Sequence, residues 1–189
     1  MSALTGLSVG LTAKAAQIDL LGPPGSSAFG TEVAVLPNGN FVVTDPSAAS
    51  NVGAVYLFSP SGAMISSFTG SVAGDFVGGY SGGGTITVLK NGNFVIVSPA
   101  WHNNMGAVTL VNGSTGLTGA VSSTNSLVGS TANDQVGRDG IVLLNGSNFV
   151  LSSPFWNNGG TVPFAGAVTW VNGDVGSVGS VSAPRANVT

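Results

Sequence analysis

Short apolar runs broken by Gly, Asn and Pro set the rhythm of this chain. From Phe29 to Phe58 the order is an apolar run Val33-Ala34-Val35-Leu36, a turn Asn38-Gly39, and a second run Phe41-Val42-Val43. Asp45-Pro46 and a small polar loop follow, and then a third run, Gly53-Ala54-Val55-Tyr56-Leu57-Phe58. Runs this short, bounded by turn residues, predict strands, and Asn-Gly between two of them is a hairpin signal. Pro46 ends the second strand, because proline has no N–H to give a central ladder. Ser59-Pro60-Ser61-Gly62 predicts a turn into a fourth strand, Met64 to Phe68. No segment carries a sustained helical period with caps, so helix is expected to be essentially absent.

The pattern recurs. Asn91-Gly92-Asn93-Phe94 repeats Asn38-Gly39-Asn40-Phe41 at a distance of 53 residues, as Gly106-Ala107-Val108 repeats Gly53-Ala54-Val55. A looser third copy has Asn148-Phe149 and Gly166-Ala167-Val168. The units predicted are 29–77, 78–135 and 136–189, with an insertion, Gly79-Tyr80-Ser81-Gly82-Gly83, opening the second. The second unit's fourth strand is expected near Ala120 to Val128, and the third's from Val178 to Val188. Residues 1–28 form no full copy. Ile18 to Gly30 aligns without a gap on Asn125 to Gly137, so Ala16 to Leu21 is expected to be the last strand of a preceding, incomplete unit. Four-stranded units of this length cannot each bury an apolar face alone. The fold class expected is all-β, a propeller-like array of four-stranded antiparallel blades, with a β-solenoid as the alternative.

Composition narrows the functions. Charged residues are 6% of the chain, against roughly 25% in an average domain. With net charge −3 and four Lys and Arg in all, no phosphate track can be built, so nucleic acid is not an expected partner. No apolar run reaches the roughly 18 residues of a membrane helix, so no membrane insertion is expected. The chain has no cysteine, which leaves neither disulfides nor thiolate metal sites. The start is a poor signal peptide, since its cation, Lys14, follows the apolar residues; the expectation is a fragment of a larger exported chain, with Met1 added.

Phe29-Gly30-x-x-Val33, Asp45-Pro46 and Gly53-Ala54-Val55-Tyr56-Leu57-Phe58 together resemble the FG-GAP repeat of integrin alpha-chain-like β-propellers. Val77-Gly78 and Val136-Gly137 open the other units, with Ser98-Pro99 and Ser153-Pro154 in their middles. The resemblance implies propeller blades, an extracellular or cell-surface location and an adhesive role. Members of that family often carry an Asp-rich calcium loop between the first two strands. Here those positions read Asn38-Gly39-Asn40, Asn91-Gly92-Asn93 and Asn145-Gly146-Ser147-Asn148, with no carboxylate, so no metal is expected.

Trp101 and Trp156 occupy equivalent places after the strand-two proline, each beside amides: His102-Asn103-Asn104 and Asn157-Asn158. Exposed, the rings would stack on sugars while the amides bonded hydroxyls, making these seven residues a candidate glycan site; buried, the rings would wedge between blades. Ala48 holds the place in the first unit. His102 is the sole histidine and has no acidic neighbour in sequence, so no catalytic residue, enzymatic activity or cofactor is expected. Asp75 and Asp134 recur two residues before Val77-Gly78 and Val136-Gly137, where a carboxylate suits a turn that bonds its own backbone. The function expected is a non-enzymatic adhesion or recognition module, binding a glycan or a cell-surface protein. The alternative is a subunit that assembles with itself through its unit ends, as a closed ring or a fibre, because an uncovered end leaves open strand edges and apolar surface.

Overall fold

The computed structural model describes residues 17–79 and 85–182. The insertion expected at 79–83 lies almost wholly outside them, as do Ala16 and the part of the last expected strand beyond Ser182. The described chain is all-β. In the first unit, β1 (Val33–Val35), β2 (Phe41–Asp45), β3 (Ala54–Phe58) and β4 (Met64–Thr69) pair antiparallel in that order. In the second, β5 (Ile86–Val88), β6 (Phe94–Ser98) and β7 (Ala107–Val111) do the same. The expected fourth strand there divides in two. Its first part, β8 (Gly119–Ala120), runs parallel to β4 of the first unit, and its second part, β9 (Leu127–Val128), returns antiparallel to β7. The third unit has β10 (Ile141–Leu143), β11 (Phe149–Ser153) and β12 (Ala167–Val171) in one antiparallel sheet, and β13 (Gly179–Ser180) runs parallel to β9. Each crossing segment covers the open edge of the preceding unit's last strand, the edge that would otherwise invite another chain.

Within each unit the meander is antiparallel, which is not the parallel rung of a solenoid. The described sheets do not close into a ring. Residues 17–21 form no strand, contrary to the expectation for Ala16 to Leu21. Instead Leu20 and Phe29 pack over the inner face of the first sheet, on Tyr56, Phe58 and Val43. Phe29 meets the rings of Tyr56 and Phe58 edge-on, with centroids 5.6 and 6.1 Å apart. Among the described residues, the inner face of the first sheet is thus roofed by this segment and not by another sheet.

Successive sheets pack face to face, because both faces of each meander are apolar. Val42, Val55 and Leu57 from the outer face of the first sheet share one core with Phe94, Ile96 and Val111 from the inner face of the second. Val95, Val97 and Val108 on the outer face of the second share another with Phe149, Leu151 and Val171 of the third. Two one-turn helical segments, Ala48–Asn51 and Trp101–Asn104, interrupt the β pattern. Their later residues wind left-handed: φ is 49°, 62° and 70° at Ala49, Ser50 and Asn51, and 49°, 59° and 60° at His102, Asn103 and Asn104.

Candidate functional site

Trp101 and Trp156 are not the exposed rings that a sugar would need. Both are buried, at 7% and 4% exposure, Trp101 in the core between the first and second units and Trp156 in the core between the second and third. The wedge alternative is the one the structure takes, because the loop after strand two folds back under the neighbouring unit. Neither indole N–H meets a protein acceptor, and since the two are equivalent this belongs to the repeat. Ala48, in the same place of the first unit, is buried too.

The polar members of the candidate set are brought to one rim, where they mostly bind the protein itself. The backbone N–H of His102 donates to Asp75 Oδ1 at 2.8 Å, and its exposed ring lies 5.2 Å from that of Trp101. Asn104 Nδ2 donates to Asn133 Oδ1 at 3.1 Å, and the Asn103 carbonyl accepts from the N–H of Asn133. Asn157 donates to Asp134 Oδ1 through both its N–H and its Nδ2, at 3.0 and 3.1 Å, and its own Oδ1 accepts from the Phe164 N–H. Asn158 sits half-buried with φ at 47°. Only His102 and Asn103 present open side chains.

Asp75 and Asp134 are fully buried staples. Oδ2 of Asp75 accepts from the N–H groups of Ser71 and Val72, which is the local turn expected, while Oδ1 reaches the loop of the following unit at His102. Asp134 does the same with Ser130, Thr131 and Asn157. Burial alone would raise the Asp134 pKa; the hydrogen bonds from Thr131, Ser130 and Asn157 outweigh it and hold the pKa below the ordinary aspartate value. Asp45 is a third staple and fixes the roof, accepting from the N–H groups of Ser27 and Ala28. Both oxygens of each of these carboxylates accept hydrogen bonds from the protein itself. Among the described residues no group of three or more His, Cys, Asp or Glu is placed to hold a metal ion.

The Asn-Gly hairpins have a second task. Asn38 and Asn40 both donate through Nδ2 to the Gly113 carbonyl of the following unit, at 3.1 and 2.8 Å. Asn91 and Asn93 likewise hold the Gly173 carbonyl, at 2.9 and 3.2 Å. An amide can donate to a carbonyl and a carboxylate cannot, which is a physical reason for Asn at positions where the calcium-loop pattern would place Asp.

Sequence reasoning expected apolar surface at an uncovered unit end without naming its residues; they lie on the outer face of the third sheet. Register places Val142, Val150 and Trp170 in one row, with Val168 two residues along on the same side. Val168 is 75% exposed and Trp170 56%. Their counterparts Val55 and Val108, Leu57 and Leu110 are buried or half-buried beneath the next unit. Comparing the three copies column by column shows a mostly apolar face, and that was the available signal. A cleft of about 550 Å³ adjoins it along the outer edge of β12, between Trp156, Val168, Trp170 and Val178.

A family model described as a repeat of unknown function, DUF5650, matches residues 88–138 and again residues 143–186, within the second and third units. No curated protein matches the chain.

Proposed function

We propose, for a chain that belongs to the DUF5650 family of repeats of unknown function, a non-enzymatic role: a propeller-like array of blades that recognises or adheres to a partner through the outer face of its third unit. One observation carries this reading. A face whose counterparts are buried in the first two units stands open in the third, with Val142, Val168 and Trp170 all more than half exposed. Contiguous exposed apolar surface of this kind marks interaction sites in soluble proteins. The resemblance to FG-GAP repeats supports a placement outside the cell or on its surface. A non-enzymatic role agrees with buried carboxylates whose oxygens already accept hydrogen bonds from the protein itself.

The glycan reading centred on Trp101 and Trp156 is withdrawn with their burial; a glycan remains one of the partners to be tested at the new face. The test is an array carrying glycans, cell-surface proteins and the chain itself, probed with labelled wild type and with a Val168→Asp/Trp170→Asp double variant. The reading expects at least one spot that wild type binds and the variant does not. Identical patterns, or no binding anywhere, would overturn it.

A further inference from the structure

We infer that the occupant of the third unit's outer face is a second copy of this chain, docked head to tail. The inference rests on the reading above that this face is the working surface, and names what fills it. Both junctions inside the chain are of one kind, the outer face of one sheet on the inner side of the next. The third unit repeats most elements of the outer half of that junction. Leu36 and Leu89 are buried in the two junctions, and Leu144 is their open counterpart. Asn40 and Asn93 hold the carbonyl of a following unit through Nδ2, whereas the Nδ2 of Asn148, the same hairpin position, makes no hydrogen bond among the described residues; Gly146 stands in the place of Asn38 and Asn91.

A steric detail points the same way. A Cβ on Gly53 would lie 2.2 Å from the Val77 nitrogen, and one on Gly106 would lie 2.3 Å from the Val136 nitrogen, because the start of the following unit crosses there. At Gly166 nothing comes nearer than 3.6 Å. The third unit therefore keeps the groove over Gly166, the clasp at Asn148 and the apolar face, all three of which a following unit occupies elsewhere.

The complementary half is at the other end of the same chain. There the inner side of the first unit is roofed by residues 17–29, and the roof turns Ile18, 68% exposed, and Leu21, 86% exposed, to the outside. End units of repeat arrays ordinarily carry a polar outer surface; among the described residues the outer surfaces of the first and third units are both apolar. Joining unlike ends gives a heterologous contact, which closes into a ring or runs on as a fibre.

Light scattering and sedimentation of the full chain over a concentration series test this. Wild type is expected to exceed the 18.5 kDa of one chain, with mass rising with concentration. Trp170→Asp and Leu21→Asp, on opposite ends, should each weaken association by about thirtyfold or more, the loss expected for an anchor side chain. An equimolar mixture of the two variants should recover a particle of two copies and nothing larger, since one intact junction remains. Val168→Asp and Ile18→Asp provide second variants at exposed sites, and an unchanged melting curve shows that each variant is folded. A wild type that stays at one chain's mass at every concentration overturns the inference. So does a Leu21→Asp variant that associates like wild type, or a mixture that stays monomeric. If the array finds a foreign partner on the same face while the chain stays monomeric, this inference fails and the preceding reading stands.

Discussion

Asp134 shows how one side chain ties two units. Its carboxylate takes donors from its own turn and from Asn157 of the next loop, with no exposure to water. Removing it leaves several part-buried N–H groups without their carboxylate acceptor, so Asp134→Ala should cost about 2 kcal/mol in urea unfolding at neutral pH. The pH dependence has a definite sign. The folded-state pKa is depressed, so the unfolded chain takes up the proton first as pH falls. The stability from this group is fully present above the ordinary aspartate value, about 3.9. It is lost as pH falls through the lower folded value. An Asp134→Asn variant should therefore be less stable at pH 7 and show a shallower loss of stability in acid; equal acid slopes would contradict the staple. The buried indoles give a second residue-scale expectation. Trp101→Ala and Trp156→Ala should each destabilise the fold by about 3–5 kcal/mol, read from denaturation midpoints, because they empty space inside a packed junction.

At the scale of elements, the strands of the first unit and the first three of the others were legible in the sequence. Short apolar runs, an Asn-Gly hairpin and a closing Pro act locally, and nothing distant overrides them. The divided fourth strand was not legible. Gly119–Ala120 and Gly179–Ser180 are two-residue strands without a pattern of their own, and their pairing is set by an open edge in another unit. The left-handed turns were hidden for a similar reason. Three consecutive non-glycine residues at positive φ cost about 1–2 kcal/mol each. What offsets the cost lies some thirty residues away, where the carbonyls of Asn104 and Met105 accept from Gln135 and Val136. Burial of Trp101 and Trp156 was one of two readings that the residues allowed, and only the packing of neighbouring units decides between them. The same packing separates two glycines that look alike in sequence. Gly106→Ala would drive a methyl into the Val136 backbone as well as strain a φ of 80°, whereas Gly166→Ala meets only the strain. In thermal melts Gly166→Ala should cost about 1 kcal/mol and Gly106→Ala several times that.

For the whole molecule, cohesion comes from apolar junctions, uncharged amide clasps and buried aspartate staples. Chelator should accordingly leave the melting temperature unchanged: the hairpins that would be calcium loops hold Gly113 and Gly173 instead. A fall of many degrees on adding chelator would show that a metal is part of the fold. The crossing strands β8 and β13 have a mechanical corollary. Each unit lends a segment to the one before it, so no unit can be pulled out whole without first unpicking its predecessor's border. A chain drawn from its C-terminal end in an optical trap should come apart like knitting, row after row in a fixed sequence, rather than as beads snapping open in random order.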